Sequence, residues 1–229
     1  MYCRKKISAM PQKNERNAEG SSLKKSLSVK KGIKSRDRVR NRGEVFTELR
    51  EINNILDLTA DAHRNYKDQR ILEPACGNGN FLVVILERRL ADIKKAIRKK
   101  EQDDTEFAIL TALSTMYGVD IMPDNIKECH ERLMTIIEKF YKERVPTKKR
   151  RPEFFDAVKE ILRTNIQLGD MLNGKEKICF VEYRESHTHH FVRNEYRLVD
   201  LELGILSSKK RIKPTHYLKI GGENANECK

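Results

Sequence analysis

Apolar residues recur along this chain with two different periods, and their alternation predicts the architecture. From Glu48 to about Thr59, the residues Leu49, Ile52, Ile55, Leu56 and Thr59 fall on one face of a helix. Arg70-Ile71-Leu72 is a short apolar run that stops at Glu73-Pro74, a strand entering a glycine-rich turn. A long helix is predicted from Asn80 to about Lys100, with Phe81, Ile85, Leu86, Leu90, Ile93 and Ile97 inward and a basic outer face. The polar run EQDDTE (101–106) should break it before a second helix, Phe107 to Met116. Tyr117 to Ile121 reads as the next buried strand. Pro123 suits the first turn of a helix running to about Arg144, burying Ile126, Cys129, Leu133, Ile136, Ile137 and Phe140. After a basic loop, VPTKKRRP, a short helix (153–163) leads to a strand from Asn165 to Leu168 that ends at Gly169-Asp170. Residues 178–183 and 191–199 form a hairpin across the turn ESHTHHF, and from about Gly204 the chain reads as a polar, frayed tail.

Strands alternating with helices predict an α/β fold on a parallel sheet, whose ligands sit beyond the carboxyl ends of the strands. The organisation expected is a basic, disordered arm (1–42), an α/β body (43–203) and a polar tail (204–229). The charge is divided unevenly between them. The net formal charge is +13, and residues 1–42 hold 14 Lys/Arg against 3 Asp/Glu, which leaves the rest of the chain close to neutral. An arm of that kind fits a polyphosphate such as double-stranded DNA, or serves only as a solubilising tail. There is no 18-residue apolar run, so no membrane partner is expected. The five cysteines are scattered without a CxxC pair, which argues against a disulfide framework and for a reducing cytoplasm.

Candidate chemistry gathers at the strand ends. The first carries Glu73-Pro-Ala-Cys-Gly77-Asn-Gly79-Asn-Phe81, in which Gly77 and Gly79 let backbone approach a ligand and turn into a helix. A nicotinamide fingerprint would need a third glycine at position 82, which is Leu82, and the loop has no lysine for phosphate. Acids stand at three successive strand ends instead: Glu73, Asp120 and Asp170. They would repel a pyrophosphate and suit a ligand with a cationic amino-acid end, a ribose diol and an exocyclic amine. S-adenosylmethionine is such a ligand. Taken singly, Asp120 serves as a ribose ligand or as a cap on the helix opened by Pro123, and Asp170 as a ligand or a turn residue. Cys76 reads as a small buried packing residue. His187, His189 and His190 read as a hairpin tip, since no acid or cysteine at ligand spacing supports a metal.

The stretch EPACGNGNF resembles the cofactor motif of the adenine-specific DNA methyltransferases of bacterial restriction–modification systems. The upstream segment from Arg38 to Thr47 is similar to the one that precedes that motif in the family. YGVDIMPDNIKECHERL and IQLGDML look like the two acidic motifs that follow it, so the resemblance runs in family order over about residues 36–172. It implies a Rossmann-like methyltransferase fold and S-adenosylmethionine as cofactor. By resemblance, Phe46 and Thr47 touch the methionine end. Glu73, Ala75, Gly77 and Gly79 hold its amine and carboxylate in the turn that closes at Phe81. Asp120 binds the ribose hydroxyls with Ile121 against the adenine, and Asp170 accepts the adenine amine.

Two departures qualify the resemblance. Glu48 stands where the family commonly has proline. More seriously, the family carries a catalytic Asn/Asp-Pro-Pro-Tyr/Phe after the third acidic strand, which holds the target amine and stacks the flipped base. The six prolines here are 11, 74, 123, 146, 152 and 214, and no two are adjacent. No catalytic residue is therefore assigned; Tyr183 and Tyr196 are the aromatic residues placed to stack a base. The expectation is an incomplete methyltransferase domain, shortened or completed by a second polypeptide carrying the catalytic motif. The alternative is a non-catalytic module of the same fold that binds DNA or a partner chain.

If the arm binds nucleic acid, affinity for duplex DNA falls steeply with salt and shows little sequence preference. Fluorescence anisotropy at stepped salt concentrations measures this, and deleting residues 1–42 should remove most of the slope. An unchanged slope would move the contact to the Lys148–Arg151 loop or elsewhere.

Overall fold

A computed structural model describes residues 35, 40, 47–58, 69–97, 101–205 and 210–222. Apart from Ser35 and Arg40, the basic arm lies outside the described residues, as does Phe46. Helix α1 (Leu49–Leu58) buries Ile52 and Leu56 but leaves Leu49 and Ile55 exposed, so its inward stripe is narrower than the periodicity suggests. Strand β1 (Ile71–Glu73) enters the glycine turn, and helix α2 (Asn80–Ala96) leaves it. Helix α3 (Gln102–Ser114) precedes strand β2 (Met116–Asp120), and helix α4 (Pro123–Arg144) and helix α5 (Pro152–Asn165) precede strand β3 (Ile166–Leu168). Then come strand β4 (Cys179–Glu185), strand β5 (His190–Arg197), the short helix α6 (Leu198–Glu202) and strand β6 (Lys210–His216).

Two expectations fail around α2 and α3. Arg89, on the face expected to be basic and outward, is fully buried. It donates to the carbonyls of Ala112 (2.7 Å) and Gln69 (2.9 Å) and to Thr115 Oγ1 (2.6 Å). Burial lowers its pKa to about 10. The helices are separate, as expected, but the run EQDDTE is not the spacer between them: α2 ends at Ala96, and from Gln102 the run is the start of α3, with Asp103 and Asp104 in its first turn. Acidic side chains there face the positive end of the helix dipole, so a polar run of this kind marks a start.

The sheet β1-β2-β3 is parallel throughout, with Ile71 opposite Met116 and Gly118 opposite Ile166. Both crossovers step in the same direction across it, and right-handed crossovers of that kind stack their helices on one face. The cores follow. Met116 and Ile166 belong to the large cluster with α2, α3, α4 and α5, whereas Tyr117 and Val119, on the opposite face of β2, form a separate cluster with Ile178, Phe180 and Leu198, against which Met171 packs. The second sheet, β4-β5-β6, is antiparallel. Side-chain amides join it to the first: Val181 N donates to Asn165 Oδ1 (3.1 Å) and Gln167 Nε2 to the Cys179 carbonyl. The hairpin tip docks on α3, where His189 Nε2 meets Asp104 Oδ1 at 2.9 Å and Phe191 stacks on Phe107. Cys179 is disulfide-bonded whereas Cys76 and Cys129 are free thiols, so not every cysteine is in the reduced state expected of the set. Among the described residues no helix is long and apolar enough to cross a membrane.

The expected frayed tail is partly an element of the fold. Strand β6 pairs with β5, and Tyr217, just past its end, is fully buried. The reason lies in Glu106, which has no solvent exposure. Its Oε1 accepts from Tyr141 (2.6 Å) and Gln102 (2.7 Å), and its Oε2 accepts from Tyr217 (2.6 Å) and Arg151 (3.3 Å). Burial and the adjacent carboxylate push both tyrosine pKa values up, keeping the hydroxyls as neutral donors. Arg151, expected in a solvated basic loop, also pairs with Asp103.

Tyr217→Phe removes one donor from this carboxylate and should cost about 1.5–3 kcal/mol, the worth of a hydrogen bond to a buried charged group. Urea unfolding of the full chain measures it. A loss below about 0.5 kcal/mol, the level of surface substitutions, would show that the C-terminal segment is not anchored through Glu106.

Candidate functional site

The glycine turn is built by continuing β1 alongside β2 beyond the last paired strand residue. Cys76 N donates to the Val119 carbonyl (2.9 Å), and the chain then doubles back, with Gly79 N on the Cys76 carbonyl (2.8 Å). Gly77 and Gly79 take positive φ, 53° and 84°. At Gly79 the requirement is twofold, because a Cβ would also overlap the sulfur of Cys129 on α4. Gly118 on β2 is tight as well: a Cβ there would lie 3.0 Å from Leu82 and 3.2 Å from the Cys76 sulfur. Cys76 and Cys129 are therefore packing residues between turn, strand and helix. The Cys76 thiol pKa is pushed far up by its contact with Cys129 and by burial, with Asp120 and Glu73 adding to the effect. A thiol in that setting is not a nucleophile.

The turn is held from the next strand end. Asp120 Oδ2 accepts from Gly77 N (2.9 Å), while its Oδ1 accepts from Met122 N (2.8 Å) and Asn125 Nδ2 (3.1 Å). Gly169 N donates to the Asp120 carbonyl (3.0 Å), which brings the end of β3 to the same edge. The structure thus gathers Glu73, Ala75, Gly77, Gly79, Asp120, Ile121 and Asp170 at the carboxyl end of the parallel sheet. Thr47 joins them, its carbonyl 3.4 Å from Asn80 Nδ2. Phe81, in the first turn of α2, faces the core more than the turn. Ile121 is exposed beside Asp120. Burial raises the pKa of Glu73, partly offset by a hydrogen bond from the Ala75 amide. Asp170 is turned onto its own loop, where Oδ1 accepts from the amides of Leu172 (2.8 Å) and Asn173 (3.0 Å). Asp120 therefore does not cap a first-turn amide of α4, one of its two expected roles; it holds Met122 N just ahead of that helix and braces the glycine turn.

Periodicity alone missed the polar group behind the turn. Arg132 Nη1 donates to the Asn78 carbonyl (2.7 Å) and to Asn80 Oδ1 (2.9 Å), and Asn78 Nδ2 reaches Glu128 Oε1 (3.1 Å). Asn125, Cys129 and Arg132 recur at spacings of four and three residues on α4, and that stripe is visible in the sequence once polar residues are counted as inward. Of the two aromatic residues proposed to stack a base, Tyr183 is buried with its hydroxyl 3.0 Å from Thr164 Oγ1, which removes it. Tyr196 is half-buried beside an open groove. His187, His189 and His190 lie at the turn between β4 and β5; among the described residues no group of three or more His, Cys, Asp or Glu is placed to hold a metal ion.

Gly79→Ala should destabilise the chain through both left-handed strain, about 1–2 kcal/mol, and the overlap with Cys129. Combining it with Cys129→Ala separates the two. In a double-mutant cycle the pair should cost less than the sum of the singles, and strict additivity would show that the sulfur does not limit the turn.

Comparison with protein-family models, with curated proteins and with solved structures found no match, so the reading of this edge rests on its own residues and geometry.

Proposed function

We propose that this chain is the S-adenosylmethionine-binding part of an adenine-specific DNA methyltransferase of a restriction–modification system, built on a Rossmann-like fold. The observation that carries the reading is the brace between Gly77 N and Asp120 Oδ2 at 2.9 Å, which joins a glycine turn to an acidic neighbouring strand end. It supports a nucleoside ligand whose charge is positive. A carboxylate offers about four acceptor positions, and the described protein groups occupy three of those on Asp120. One remains on Oδ2 for a ribose hydroxyl, with the exposed Ile121 beside it for an adenine ring. Glu73, half-buried at the mouth of the turn, suits an ammonium group, since a cation there offsets the burial that raises its pKa. Asp170 would have to exchange a loop contact for the adenine amine and is the weakest member of the set.

The bound cofactor would supply an electrophilic methyl group. This chain's own residues account for binding and orienting it, and they stop there. Methyl transfer to an exocyclic amine needs acceptors on the amine's two protons and alignment of its nitrogen with the methyl carbon. The flipped base also needs a stacking surface to offset a few kcal/mol of unpairing. The Asn-Pro-Pro-Tyr tetrapeptide that does both in the resembling family is missing, so a second polypeptide carrying it is part of the proposal. The second reading, a non-catalytic module that uses its basic arm to bind DNA or a partner, is favoured by that same absence.

Isothermal titration of the folded full chain with S-adenosylmethionine should show saturable binding. Asp120→Ala should weaken it about tenfold or more, in keeping with one hydrogen bond to a charged group. Because Asp120 also braces the turn, the variant should lose thermal stability as well. No binding by the unmodified chain would overturn the proposal. Incubated with labelled cofactor and duplex DNA, the chain alone should transfer no methyl group. Transfer after addition of a polypeptide bearing Asn-Pro-Pro-Tyr would select the split enzyme over the module.

A further inference from the structure

Among the described residues, the long helices α2, α3, α4 and α5 lie on one face of the parallel sheet only. Its large core lies on the side of α2, α3, α4 and α5, while the other face has a cluster of five buried apolar residues, Tyr117, Val119, Ile178, Phe180 and Leu198. Parallel strands are ordinarily covered on both faces by helices. Among the described residues, only the five-residue helix α6 reaches this second face from the helical side. Beside it a groove of about 590 Å³ stays open, floored by Leu72, Tyr117 and Phe180 and walled by Tyr196, Leu198 and Leu201. Leu72 is 41% exposed and Leu201 37%, and the apolar surface runs on along the chain through Leu203 (75%) and Ile205 (44%). The groove also borders the edge of the sheet: among the described residues β1 pairs only with β2, and its central residue, Leu72, turns its amide and carbonyl away from that partner.

We propose that this face is the docking surface for an amphipathic helix of a second polypeptide, with an apolar stripe that fills the groove and carboxylates along its flanks. The helical form follows from the sheet, because helices are what pack on parallel strands. The acidic flank follows from the rim. Arg70 and Arg184 share one carboxylate, Glu182, at 2.5 and 4.0 Å, with side chains 47% and 61% exposed. Glu182 is further engaged by Asn194 Nδ2 (3.1 Å) and Tyr196 OH (3.5 Å). The rim thus carries one positive charge in excess, which attracts acidic residues and disfavours the chain's own basic arm as occupant. An apolar patch of this extent, rimmed by polar groups, is the usual mark of an interaction site. The surface is separate from the edge that holds Asp120, and the inference does not depend on the methyltransferase reading.

The test uses the full chain, isotope-labelled for amide NMR, and a synthetic helical peptide with leucines on one face and glutamates on its flanks. A version with lysines in place of the glutamates is the control. The acidic peptide should shift the amides of Leu72, Tyr117, Phe180, Tyr196 and Leu201 and bind roughly tenfold more tightly than the lysine version. Leu201→Asp and, independently, Leu72→Asp should abolish those shifts while the rest of the spectrum stays unchanged. Shifts confined to other surfaces, equal binding of the two peptides, or no binding by either would overturn the proposal. So would sedimentation showing a dimer that Leu201→Asp dissolves, which would assign the face to a second copy of this chain. Binding that appears only after deletion of residues 1–42 would assign it to the arm.

Discussion

A carboxylate without solvent access must be surrounded by donors, and Glu106 organises the helical layer on those terms. Its four partners come from α3 itself, from the end of α4, from the residue that opens α5 and from the turn after β6. Losing one of these donors costs about 1.5–3 kcal/mol, as much as burying a whole large apolar side chain contributes. The arrangement joins segments more than a hundred residues apart, and it explains why a lysine-rich C-terminal stretch is held as a strand. Arg89 does the same on the other side of the layer, tying α2 to the end of α3 and to the approach of β1.

That layer supports a sheet whose form follows from chain order. Three strands laid down in sequence, with crossovers of one hand, place four helices on the same side and every strand end at the same edge. The glycine turn and the acids at positions 73, 120 and 170 are thereby brought together without any residue evolving a long reach. The same economy of topology leaves the opposite face to the β4-β5-β6 sheet and α6, which cover it only in part. The shared edge and the partly covered face are two results of one path through the sheet.

At the edge itself, the candidate site residues also serve the fold. Asp120 braces Gly77 and holds the Met122 amide and the Asn125 side chain at the start of α4. Behind it, Arg132 fixes the carbonyl of Asn78 and, through Asn80, the segment at Thr47. The turn is thus held from β2, by Asp120, and from α4, by Arg132. Asp170 shows the opposite balance, since its carboxylate serves its own loop.

The sequence by itself determined the elements whose cause is local. The helix from Pro123 to Arg144 has the predicted ends and the predicted inward residues, because its first-turn proline and apolar spacing act within a few residues. The three parallel strands and the β4-β5 hairpin were legible for the same reason, as was Cys76 as a packing residue. What the tertiary structure decided depends on partners distant in the chain. Arg89 reads as an outward basic residue until the carbonyls of Gln69 and Ala112 surround it, and Tyr217 reads as part of a tail until Glu106 lies beside it. The inward polar stripe of Asn125 and Arg132 acquires meaning only against the glycine turn. Apolar periodicity reports burial that hydrophobic residues gain from any core, whereas a buried charge is stable only where specific donors or acceptors meet it, and where those groups meet is set by the fold.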